Sequence, residues 1–123
     1  MTISAYAIGC DQPVAAAKEL MQRHRIRHLP VMQGGTVVGL LSQRDIAFLE
    51  RVDSTTTENM IVERAMTPDP YIVSPDAPLD KVARHMAKHK IGSALVVEDS
   101  RLIGIFTSND ALRVLAEFVS GTQ

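Results

Sequence analysis

The chain has 123 residues, 46% hydrophobic and 22% charged, which is enough for one core or two small similar lobes and excludes disordered, collagen-like and coiled-coil classes. With 13 basic and 14 acidic residues its net charge is −1, which argues against a protein that works by holding nucleic acid through its phosphates. Apolar runs such as V-V-G-L-L around Gly39 fall far short of the roughly 20 residues of a membrane span. A single cysteine, Cys10, and a start without a leader pattern point to a reducing cytoplasm.

The chain matches itself at one offset of 65 residues, without a gap. Tyr6 falls on Tyr71, Asp11 on Asp76, Pro13 on Pro78, Met21 on Met86 and His24 on His89. Ile26 falls on Ile91, Val31 on Val96, Gly39 on Gly104 and Asp45 on Asp110, and Met1-Thr2 coincides with Met66-Thr67. A repeat of this kind means that one supersecondary unit occurs twice.

In chain order, Ala7 and Ile8 stand at a short first strand. The basic stretch R-H-R-I-R-H at 23–28 ends the first helix and enters the next strand. L-P-V-M and T-V-V-G-L-L, on either side of Gly34 and Gly35, read as two tightly joined strands. S-Q-R-D at 42–45 follows, and Ile46, Ala47, Phe48 and Leu49 open a second helix. The polar, aperiodic D-S-T-T-T-E-N at 53–59 reads as a linker, and M-I-V-E-R-A-M at 60–66 leads into the second unit. Nothing ahead of Met1 corresponds to that lead-in, so either the chain is a piece of something longer or its first unit lacks one.

The second unit repeats the plan. Tyr71, Ile72 and Val73 form a short run, then S-P-D-A-P offers Asp76 as a helix cap and Pro78 for the first turn. Leu79, Val82, Ala83 and Met86 make one apolar stripe, with Lys81, Arg84, Lys88 and Lys90 largely elsewhere and Gly92 expected to end the helix. A-L-V-V and L-I-G-I-F, joined at E-D-S, are two further strands. A closing helix from Asp110 carries Ala111, Val114, Leu115 and Phe118 on one face. The fold class is α/β, with each unit running strand, helix, strand, strand, helix.

These residues resemble the CBS-domain family, as a tandem pair of CBS motifs, often called a Bateman module. The resemblance rests on Met66-Thr67 followed by an extended run and S-P-D, on H-L-P-V opposite S-A-L-V, and on G-L-L-S-Q-R-D matched by G-I-F-T-S-N-D. It divides the chain into a first motif at 1–52, a linker and lead-in at 53–65, and a second motif at 66–123. It implies two pseudo-symmetric repeats packed sheet to sheet, with two clefts between them, and modules that commonly pair into a homodimer. It further implies a regulatory, non-catalytic role: an adenosine-containing ligand such as AMP, ADP, ATP, S-adenosylmethionine or NAD binds and a partner or attached enzyme or transporter is regulated. The adenine nucleotides AMP, ADP and ATP stand first, and no cofactor is required.

The plain reading of S-Q-R-D and T-S-N-D is a helix capping box, with Ser42 or Thr107 as cap and the acid three residues on answering it. The same geometry offers a phosphate the open N–H groups of a helix start, and offers ribose hydroxyls a carboxylate. The resemblance assigns Asp45 and Asp110 to the ribose and Ser42 and Thr107 to the phosphate; the two readings are compatible. Arg23 and Arg25 complement a helix C-terminus by default. Arg27 and His28, at the strand entry, are the candidate phosphate contacts, whereas their counterparts Gly92 and Ser93 are uncharged, so the two sites should be unequal. Which carboxylate shares a cleft with Arg27 is not fixed by sequence. Ala7 and Ile8, or Ile72 and Val73, are candidates for adenine, although a buried strand is apolar whatever it binds.

Two rival readings remain. One is a purely structural dimerisation module in which both boxes are caps alone. The other is a small hydrolase or redox protein built on Cys10 with His24 or His28, which lacks an orienting third group. His85 and His89 have metal-ligand spacing but no further convergent ligands, so no metal site is assigned. The G-x-x-x-x-G-K and G-x-G-x-x-G phosphate loops are absent, and the methionines read as core filler.

Overall fold

A computed structural model describes residues 2, 3 and 6–121. The chain divides into two compact units, one formed by Tyr6–Pro70 and the other by 71–121 with the short strand β1 (Thr2–Ile3). The repeated sequence therefore produces a repeated fold, with the α/β plan expected of each half.

The first unit runs β2 (Ile8–Gly9), α1 (Val14–His24), β3 (His28–Gln33), β4 (Thr36–Ser42), α2 (Gln43–Val52), α3 (Thr56–Asn59), α4 (Val62–Ala65) and β5 (Thr67–Pro68). Its sheet has the order β2-β3-β4-β5, parallel between β2 and β3 and antiparallel elsewhere. Leu29, Pro30 and Val31 are buried in succession along β3, as expected of a strand covered on both faces rather than one. Val14, Ala17, Leu29, Val31, Leu41 and Val62 are wholly inaccessible and form the heart of the core.

The second unit runs β6 (Ile72–Val73), α5 (Leu79–His89), β7 (Ser93–Glu98), β8 (Arg101–Thr107) and α6 (Ser108–Val119). Its sheet order is β1-β8-β7-β6, the same arrangement with β1 in the place of β5. Even the irregularity recurs: the register of the central hairpin shifts between Val31 and Met32 and again between Val96 and Val97. The core here is smaller, built on Val82, Met86, Ala94 and Phe106.

The opening M-T strands do not stay with the repeat that follows them. Thr67–Pro68 pairs with β4 at Leu40 and Gly39, and Thr2–Ile3 pairs with β8 at Ile105 and Gly104. Gly39 is required by this approach, because a Cβ there would lie 2.9 Å from the carbonyl oxygen of Thr67. The lead-in likewise packs with the first unit: Val62 N–H donates to Gln12 O (2.8 Å) and Glu63 N–H to Cys10 O (2.9 Å). The sequence repeat begins at Met66, whereas the compact units part at Pro70.

Several local expectations are corrected. Helix α5 ends at His89 and not at Gly92; Lys90 takes the left-handed conformation (φ 55°) and Ile91 N–H folds back to Met86 O (2.9 Å). Arg25 and Ile26 close α1 in the same way, so the isoleucine after each cap, rather than a glycine, marks the stop. Asp76 does not cap α5, whose N-cap is Pro78 and has no side-chain cap bond. The linker contains α3, packed against α1 and α2. Two apolar stripes are not fully buried: Leu79 is 47% exposed, and on α6 Leu115 and Phe118 are 54% and 83% exposed.

Candidate ligand-binding sites

In each unit the last long strand of the hairpin runs into a helix through the S/T-x-x-D sequence, and both capping boxes form. Asp45 N–H donates to Ser42 Oγ (3.0 Å) and Ser42 N–H to Asp45 Oδ2 (3.2 Å). Asp110 N–H donates to Thr107 Oγ1 (3.2 Å), while Thr107 N–H (2.9 Å) and Thr107 Oγ1 (3.2 Å) both converge on Asp110 Oδ2. Each cap engages one carboxylate oxygen, so the structural role and a ligand role do not compete for the same atom.

The surroundings of the two boxes differ. In the first unit His28 lies directly across the hairpin from Ser42, and Arg27 O accepts from Gln43 N–H (2.8 Å), so the basic strand entry abuts the start of α2. Burial holds His28 below the ordinary imidazole value of 6.5; Asp45 pulls it upward, and the Arg27 and Arg44 guanidiniums push it down. One helix start thus gathers two arginines, a half-buried histidine and a carboxylate. Arg44 escaped the sequence reading although its signal was present, since Asn109 stands at the matching position of the repeat.

In the second unit Ser93 is opposite Thr107, and Gly92 O accepts from Ser108 N–H (2.9 Å). Asp110 is nearly buried at 6% exposure, and Arg113 Nη1 stands 3.6 Å from its Oδ1. That arginine comes from one turn further along α6, and the strand entry carries Gly92 and Ser93 where the first unit has Arg27 and His28. The charged side chains around the two helix starts therefore differ.

The first strands separate the adenine candidates. Ile8 and Val73 pack with the cores of their own units, whereas the matched pair Ala7 and Ile72 is exposed. β2 and β6 are the outer strands of their sheets, so their outward backbone edges have no further strand in the ladder.

The other candidate side chains have neighbours of their own among the described residues. Arg23 pairs with Glu19 one turn away on α1. His85 stacks on Tyr71 with ring centroids 4.1 Å apart and His89 tilts against it at 4.3 Å; Tyr6 and His24 stack in the first unit at 3.8 Å. Cys10 is buried in the turn before α1. A groove of about 120 Å³ between α1 and α2 is floored by Met21, Ile46 and Ala47, and Lys18 meets Glu50 across it at 3.0 Å. Its cation is thereby neutralised by its own wall. No helix among the described residues is long and apolar enough to cross a membrane.

A pair of short α/β repeats, each with a polar helix start after a central hairpin, defines a tandem α/β module. The CBS domain family matches residues 1–50 and 62–117, and the chain belongs to that family. It is 35% identical over 104 residues to an inosine-5'-monophosphate dehydrogenase of Korarchaeum cryptofilum, covering 84% of this chain but only 21% of the relative. The chain thus spans about a fifth of the length of that enzyme. Among solved structures it resembles a putative acetoin utilization protein (AcuB) of Vibrio cholerae, with a TM-score of 0.77 and 30% identity over 98% of this chain and 89% of that one. It also resembles the CBS domain pair of protein MJ0100, solved with 5-methylthioadenosine and S-adenosyl-L-methionine (TM-score 0.77, 29% identity, 94% and 91% covered). A third is CBSX2, solved with AMP (TM-score 0.73, 27% identity, 92% and 88% covered).

Proposed function

We propose that this chain is a regulatory, non-catalytic module of the cytoplasm that binds an adenosine-containing ligand and signals to an attached or partner enzyme or transporter. AMP, ADP or ATP is the expected ligand, with S-adenosylmethionine and NAD as further members of the class. The observation that carries this reading is the gathering of Arg27, His28 and Arg44 at the Ser42–Asp45 helix start. A phosphate meets two guanidiniums at the positive end of a helix there, and Asp45 stands ready for ribose hydroxyls. Ligand-bound relatives of the same fold support the ligand class.

Residues Ser42, Asp45, Arg27 and His28 form the polyphosphate-accepting site, and Thr107 with Asp110 forms one suited to a neutral or singly charged group. Ala7 and Ile72, with the strand edges of Ile8 and Val73, meet the adenine. Two copies pair through the exposed apolar faces of α2 and α6, where Phe48 and Phe118 are 57% and 83% exposed. Domain boundaries for this purpose follow the repeat, at 1–52 and 66–123.

The test is a thermal-melt panel with AMP, ADP, ATP, S-adenosylmethionine and NAD on wild type and on the Asp45→Ala and Asp110→Ala variants. A ligand at 100 times its Kd stabilises by about 2.7 kcal/mol, which raises Tm by roughly 8 to 15 °C. A shift of that size, lost in one variant, supports the reading and identifies the working site. A cooperative melt unmoved by every compound refutes it in favour of a structural dimerisation module.

A further inference from the structure

The two helix starts differ in one further respect: the first holds a side chain whose charge changes near neutrality. His28 opens β3 opposite Ser42, the cap of α2, whereas Ser93, opposite Thr107 in the second unit, has nothing to titrate. The other three histidines are engaged elsewhere, His24 stacked on Tyr6, His85 on Tyr71, and His89 tilted against His85. The His28 ring has no hydrogen-bond partner among the described residues, and none of their buried polar side-chain atoms is left without one. The ring nitrogens of this half-buried side chain are therefore open to solvent.

Three charged groups act on that ring: Asp45 and Arg44 from α2, and Arg27 beside it. The strands β2 and β4 carry no titratable side chain, and on α1 Lys18 and Arg23 are paired with Glu50 and Glu19. Burial disfavours the imidazolium, Asp45 favours it, and Arg27 and Arg44 oppose it, so that the balance lies on the neutral side of 6.5. A phosphate seated among these groups reverses the balance, because its charge offsets both guanidiniums and attracts the imidazolium directly. An opposite charge within ~4–6 Å raises such a group by about one to three pH units.

We propose that the first site binds nucleotide phosphate together with a proton on His28, so that its affinity for nucleotide rises as the pH falls. The inference rests on the nucleotide reading above and adds its regulation: the site reports nucleotide and acidity jointly. The sign follows from linkage, since a ligand that draws in a proton is itself bound more tightly where protons are abundant. Affinity is level well above neutrality, rises by up to about tenfold per pH unit on acidification, and levels off again below the value of the free ring, which is under 6.5. A nucleotide in the second site finds no imidazole at the matching position and gains nothing from this source.

The test is calorimetric titration of the full chain with AMP, ADP and ATP between about pH 8 and about pH 6, in two buffers of unlike ionisation heat, which gives both affinity and protons taken up. The nucleotide phosphate itself titrates near about pH 6, so the readout is the difference between wild type and His28→Gln. Wild type is expected to take up more protons than the variant, and to gain about tenfold more affinity across that range. By nuclear magnetic resonance, the His28 ring signals, identified by their loss in the variant, should titrate at higher pH in the ATP-saturated protein than in the free one. Equal proton counts and equal pH slopes overturn the inference. Ring signals whose titration nucleotide leaves unmoved overturn it as well, and decide the matter if His28→Gln does not bind. In either case binding by wild type leaves the nucleotide reading standing, whereas no binding of any of the three nucleotides at any pH removes both.

Discussion

Gly39→Ala tests whether the return of the lead-in strand to the first unit is a packing constraint. Gly39 pairs with Pro68 in the β4–β5 ladder, and the added methyl would stand 2.9 Å from Thr67 O, with the Met66 side chain also in its path. The Met66 thioether can swing aside, but a strand carbonyl cannot move without loosening the ladder. Overpacking of this kind costs about 1 to 3 kcal/mol, or roughly 4 to 12 °C of Tm for a chain of this size. Thermal melts of Gly39→Ala, Met66→Ala and the double variant, with hydrogen exchange at Leu40 and Thr67, measure it. If the carbonyl is the obstacle, the double variant melts no higher than the sum of the singles predicts, and both amides exchange faster. A Gly39→Ala protein with wild-type Tm and exchange would refute the reasoning; full rescue by Met66→Ala would move the constraint to the side chain.

Other consequences are as direct. Because burial lowers the pKa of His28 from 6.5, the unfolded chain binds that proton at higher pH than the folded protein does. Stability is then present above pH 6.5 and lost as pH falls through the folded value. Melts from about pH 8 to about pH 5 should therefore show a shallower acid loss in His28→Gln, and identical slopes would count against the account. Lys90→Gly, at φ 55°, should stabilise, by about 0.5 to 1 kcal/mol, whereas Lys90→Ala should not; denaturant titration distinguishes them. Asp110→Ala should cost about 1 to 2 kcal/mol and Asp45→Ala about 1 or less, since Asp110 is the more buried and receives two donors from Thr107. Equal losses in urea unfolding would show that burial does not set the difference.

Much of the fold is legible in the chain because it is written twice. Identities at one offset, such as Gly39 with Gly104 and Asp45 with Asp110, name the turning points of both units, and hairpins and capping boxes are short-range features that adjacent residues determine. The basic strand entry is visible for the same reason, as Arg27 and His28 align with uncharged Gly92 and Ser93 in the repeat. Tertiary structure decided what depends on partners distant in sequence. Arg44 joined His28 only when the hairpin brought Ser42 across from it. The apolar side chains of Val14 and Leu79 look alike in a periodic pattern, yet Val14 is wholly buried in a core that includes Val62 and Leu79 is 47% exposed. Periodicity reports which face of a helix is apolar; only the packed neighbours determine whether that face is inside.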